Sequence, residues 1–112
     1  MEKRLNTLLP PPKENHAYQI ELKDGKITCK ENILSDSRVL KRMIEDLGDY
    51  VRTIKLDNIN LDVFKMIKSI VKDEYDISKE KYRKLTIGFL VRLCVAADYL
   101  DMPILLKLAI HM

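Results

Sequence analysis

Ala96-Ala97-Asp98-Tyr99-Leu100-Asp101 closes an apolar run from Leu85 to Leu100, and the rest of the chain is organised around it. From Ile87 to Leu100 only Arg92 and Asp98 carry charge. Leu90, Leu93, Cys94 and Ala97 recur at i, i+3, i+4 and i+7, the core stripe of an α-helix. Phe89, Val95, Ala96 and Tyr99 lie off that stripe and are also apolar or amphipathic, so this helix is expected to be covered on more than one side. Thr86 is placed to cap its start. Pro103 imposes a boundary, because the residue before a proline avoids the helical region. A second helix is expected beyond it, with Asp101 as its cap and Pro103 in its first turn. Ile104, Leu105, Leu108 and Met112 mark one side of that helix and Leu106 and Ile110 another.

Upstream, Tyr18, Ile20 and Leu22 alternate with polar residues at the period of a half-buried strand. Asp24-Gly25 predicts a type I′ turn, returning the chain through Lys26 to Cys29 as a second strand. A short turn through Glu31 to Asp36 precedes a helix from Arg38 to Leu47, capped by Ser37 and closed by Gly48 in a left-handed conformation. Thr53 to Leu56 reads as a third strand. A helix is expected from Leu61 to about Lys72, with Asn60 as cap and Val63, Phe64, Ile67, Ile70 and Val71 as its core stripe. Glu74 to Lys84 is charge-rich and reads as a loop or a short frayed helix. Residues 1–17 read as an arm, in which Pro10-Pro11-Pro12 ends two candidate helical turns over Glu2 to Leu9. The expected order is hairpin, helix, strand, helix and a helical end, an α+β domain over residues 18–112 with three strands packed on one side by helices.

A chain of 112 residues builds one core without covalent staples. Its net charge of +3 favours acidic partners only mildly. Cys29 and Cys94 lie far apart among apolar neighbours and read as reduced thiols. His16 and His111 fall at the two ends, the acids do not cluster, and no glycine-rich phosphate loop occurs, so no enzyme, metal or cofactor is expected. Basic residues at Lys41-Arg42 and at Lys79, Lys81, Arg83 and Lys84 are interrupted by acids, and only Tyr82 interleaves, which argues for a solvated face over nucleic-acid binding. Neither a signal sequence nor a membrane span is recognisable, which leads to the expectation of a cytoplasmic or nuclear protein.

Several segments in order carry a resemblance. They are Ile20-Glu21-Leu22, Asp24-Gly25, Arg42-Met43-Ile44-Glu45-Asp46-Leu47-Gly48, Ile54-Lys55-Leu56-Asp57-Asn58-Ile59, Val63-Phe64-Lys65, and Ala96 through Asp101. Together they resemble the BTB/POZ superfamily, and within it the small cullin-adaptor branch of elongin C and the F-box-binding S-phase-kinase-associated protein. The resemblance implies a BTB/POZ fold of a three-stranded sheet against about five helices. It also implies a non-enzymatic bridge between a cullin N-terminal domain and a substrate receptor in a ubiquitin ligase. Val95, Asp98 and Tyr99 match the family's cullin-facing helix. Leu106 and Ile110, with Leu105 and Ala109, match its groove for an F-box or BC-box receptor helix. Asp98 stands where the branch usually has asparagine, and the acidic insertion common before the third strand is absent, Asp49 to Arg52 connecting directly. The alternative expectation is a BTB/POZ module that self-associates through Glu2 to Leu9 without a ligase role.

Overall fold

The computed structural model describes residues 16–48 and 50–112. Strand β1 (Ala17–Leu22) is the centre of a three-stranded sheet ordered β2-β1-β3. It pairs antiparallel with β2 (Gly25–Lys30), Leu22 facing Gly25, and parallel with β3 (Thr53–Leu56), Ile20 facing Ile54. Alternation places Tyr18, Ile20, Leu22, Cys29, Ile54 and Leu56 on one buried face, while Gln19, Thr28 and Lys55 stand exposed on the other. The parallel β1–β3 pair needs a crossover, and two helices make it: the single turn α1 (Glu31–Leu34) and α2 (Arg38–Asp46). After β3 come α3 (Leu61–Lys72), a 3₁₀ turn at Glu80–Tyr82, α4 (Ile87–Tyr99) and α5 (Pro103–His111). The described residues thus form an α+β domain with a mixed sheet and five α-helices.

The helical core gathers beside the apolar face of the sheet. Val63, Phe64, Ile67 and Ile70 of α3 are buried, each contributing about 1.5–3 kcal/mol through its burial, well above any helix-propensity difference along the segment. Leu34, Leu40, Leu93, Leu100 and Leu105 complete the centre of the core.

Three features of the connections differ from the expectations. The hairpin loop is Lys23-Asp24, with no residue at positive φ, and Gly25 is already the first residue of β2. Gly25 instead lets Leu61 approach closely: a Cβ there would lie 2.8 Å from the Leu61 Cδ2, and the leucine methyl would have to turn aside. That close approach lets the Asp24 carboxylate accept from the Leu61 N–H at 2.7 Å, capping α3 from a position far upstream, while the Asn60 side chain makes no cap bond of its own. Gly48 has no left-handed backbone, because α2 ends at Asp46 and the extended Leu47 follows. Ala17, read as the last residue of the arm, already pairs with Lys30 in the sheet, and the His16 carbonyl accepts from the Glu31 N–H at 2.8 Å. The helix expected over Glu2 to Leu9 lies outside the described residues.

Helix α3 ends without a glycine. Glu74 and Tyr75 take φ of 55° and 65°. Their N–H groups return to the carbonyls of Val71 and Ile70, both at 2.9 Å, closing a Schellman motif. A left-handed residue with a side chain costs roughly 1–2 kcal/mol, and the Tyr75 hydroxyl, donating to Asp36 at 2.7 Å, helps to hold this one. At the same helix end Asp73 accepts from the buried Tyr82 hydroxyl at 2.5 Å and from Lys81 and Lys79 at 3.0 Å each. The Tyr82 hydrogen bond first, then Lys81 and Lys79, hold the Asp73 carboxyl far below the usual carboxylate range. A pKa depressed in the folded state makes stability greatest above the unfolded value of about 4 and removes it as pH falls below that value. Thermal melts from pH 7 to acid, a range around that value of about 4, should therefore show a loss in the native protein that Asp73→Asn lacks in part. Parallel acid slopes for the two proteins would refute this role.

Candidate protein-interaction site

Helices α4 and α5 are joined by Leu100, Asp101 and Met102. Thr86 caps α4 as expected, its hydroxyl accepting from the Phe89 N–H at 3.1 Å. Asp101 does not cap α5. It adopts φ 54° as the left-handed residue that closes α4, its N–H returning to the Asp98 carbonyl and that of Met102 to the Ala97 carbonyl at 2.9 Å. Pro103 then opens α5, where its missing N–H leaves no bond unmade.

On α4, Leu93, Ala96 and Ala97 are buried, with Leu90 and Cys94 packed beside them, so the stripe read from the sequence faces the core. The opposite face carries Ile87 at 80% exposure, Val91 at 55%, Val95 at 64% and Tyr99 at 44%. These four sit at i, i+4, i+8 and i+12, one ridge along the helix. Beside the ridge runs a groove of about 240 Å³ whose other wall comes from Asn58, Ile59, Asn60 and Val63 at the start of α3. Arg92 bridges its rim, contacting both oxygens of Asp62 at 3.3 Å and lying 5.1 Å from the centre of the Phe89 ring. Exposed as it is, that pair contributes about 0–1 kcal/mol, and it shapes the rim more than it stabilises the fold.

Val95 and Tyr99 therefore share one exposed ridge, and Asp98 is exposed next to them on the same helix. On α5 the four expected contact residues separate. Ile110 is 64% exposed and Leu106 half-buried, whereas Leu105 and Ala109 are core residues at 0% and 3%. Leu105 and Ala109 pack α5 against the domain, so the part of the expected set that stands open on α5 is Ile110 with half-buried Leu106. The stripe that α5 buries is Met102, Leu105 and Ala109, so Ile104, expected on the same side as Leu105, points outward at 60% exposure. Ile87, Val91 and the Asn58–Val63 wall were absent from the residues inferred from the sequence. The first two were detectable as the continuation of the Val95–Tyr99 row at four-residue spacing; the wall, being distant in sequence, had no such signal.

Among the described residues no group of three or more His, Cys, Asp or Glu is placed to hold a metal ion, and no helix is long and apolar enough to cross a membrane. In comparisons with known proteins, no family model and no curated protein matches the chain.

Proposed function

We propose that this chain is a non-enzymatic adaptor of the BTB/POZ type, bridging a cullin scaffold to a substrate receptor in a ubiquitin ligase. The observation that carries this reading is the exposed ridge Ile87-Val91-Val95-Tyr99 on a helix whose other side is fully packed. A contiguous apolar row of this kind on a small domain marks a partner surface. Tyr99, amphipathic and at the end of a groove, is a suitable interface anchor, and Asp98 beside it supplies a charge for register. A second apolar surface, half-buried Leu106 with exposed Ile110 one turn on, is available on α5 for a receptor helix. The mixed three-stranded sheet with helices on one side is the architecture that the resemblance implies.

The test is a pull-down of the full chain against a panel of cullin N-terminal domains. Binding to at least one is expected, weakened by about 1–3 kcal/mol in Tyr99→Ala. Failure to retain any cullin would sink the proposal. The self-association alternative is distinguished by light scattering on the same material, where a monomer is expected.

A further inference from the structure

On the side of α3 away from the core, two concavities meet. One, of about 300 Å³, is lined by Lys65, Lys68, Lys72 and Lys81 with Ser69 and Asp73. The other, of about 910 Å³, shares Lys68 and Lys72 and adds Lys30 on β2, with Ile33, Val71 and Tyr75 on its floor. Lys79 reaches the first through Asp73. Six lysines thus share one continuous surface in a chain whose net charge is only +3. Lys65 and Lys72 are exposed and no salt bridge occupies them among the described residues, whereas Lys68 is held by the Thr28 carbonyl at 2.9 Å and Lys79 and Lys81 by Asp73.

We infer that this channel binds an extended acidic peptide segment of a partner protein, one in which acidic side chains alternate with aliphatic ones. Lys65, Lys68 and Lys72 stand at i, i+3 and i+7 on α3, separated along its axis by about 4.5 and 6 Å. Carboxylates on alternate residues of an extended chain recur every ~6.6 Å, close to the Lys68–Lys72 interval. The apolar floor of Ile33 and Val71 accepts the side chains of the other parity. Lys68 donates to the Thr28 carbonyl at 2.9 Å, so part of the adjoining β2 backbone is already engaged. Nucleic acid suits the surface less well. Its cations are all lysines, without the planar forks that pair with phosphates, and Tyr82 is buried and offers no stacking face. The surface lies on α3 and β2, apart from α4 and α5, so the inference stands independently of the adaptor reading.

The probe is a fluorescein-labelled glutamate-rich peptide with interspersed leucines, titrated with the full chain and followed by anisotropy. Saturable binding is expected that weakens as salt rises through ~0.15 M, where charges are screened beyond about 8 Å. Lys65→Gln with Lys72→Gln is expected to weaken binding about tenfold, the sum for two exposed ion-pair contacts, while Lys107→Gln on α5 leaves it unchanged. Amide shifts of the unsubstituted protein on adding peptide should cluster at Lys65, Lys72 and Tyr75, which tests the site even if the double variant folds badly. Absence of saturable binding, equal affinity of the double variant, shifts centred elsewhere, or tighter binding to a mixed-sequence single-stranded oligonucleotide or to phosphatidylserine vesicles would each overturn the inference.

Discussion

Leu105→Ala is expected to lower the unfolding free energy by about 2–5 kcal/mol. Leu105 has no exposed surface and lies on α5 between Met102 and Ala109, which are buried at 3% each. Removing its isobutyl group loses the transfer free energy of the deleted carbons. It also leaves a cavity that two rigid neighbours, the α4–α5 corner and the α4 stripe, cannot collapse into. Urea unfolding monitored by circular dichroism reads the effect directly. Ile110→Ala is the informative companion, because Ile110 is 64% exposed and its replacement should change stability by no more than about 0.5 kcal/mol. If instead Leu105→Ala proves neutral and Ile110→Ala costly, α5 is packed through the other face.

The second large effect is expected at Ser37, a polar residue at 1% exposure in the core of the described residues. Its hydroxyl accepts from the Leu40 N–H at 3.0 Å, capping α2, and donates to the Leu100 carbonyl at 2.6 Å. One oxygen thereby satisfies the start of α2 and the end of α4, elements more than sixty residues apart in the chain. Ser37→Ala removes a cap worth about 0.5–2 kcal/mol. It also strips a buried carbonyl of its best donor, a loss of about 1–3 kcal/mol. The remaining donor to that carbonyl, the Val39 N–H at 3.5 Å, is a weak replacement. A total of about 2–4 kcal/mol follows, at roughly 4–8 °C of melting temperature per kcal/mol for a domain near this size. Ser37→Gly separates the two roles, since glycine caps a helix nearly as well as serine but donates no hydroxyl. Similar melting of native protein and Ser37→Gly would mean that the Leu100 bond contributes nothing.

Much of the architecture was legible because its signals are local. Strict alternation located β1 and β3, and helical periodicity located α3 with both ends as observed. The caps Ser37 and Thr86 were readable because each acts on an N–H three residues ahead. What escaped depends on residues distant in sequence or on choices the local chemistry leaves open. The α3 cap was assigned to Asn60, but the hairpin delivers Asp24 to the same N–H. Asp101 suits a helix start or a left-handed helix end equally by composition, and the geometry of the α4–α5 corner selects the second. Glu74 and Tyr75 carried no signal at all, since neither glycine nor asparagine marks that turn. The difference in burial along α5 has a similar origin. With apolar residues on two sides, periodicity shows that both sides are apolar without showing which side meets the core, so Leu105 and Ala109 were read alongside Leu106 and Ile110.

The corner at Asp101 has a mechanical consequence. Only three residues separate α4 from α5, and two returned hydrogen bonds, a proline and the buried side chains of Leu100 and Met102 fix all of them. Under the proposed adaptor role, a partner on the α4 ridge and another on the outer face of α5 would be held at one set distance and one set angle. A flexible tether would spread two bound bodies over a wide volume and dilute each in the other's presence; a stiff elbow concentrates one where the other can reach it. Spatial reach would then be written into the backbone angle of a single aspartate.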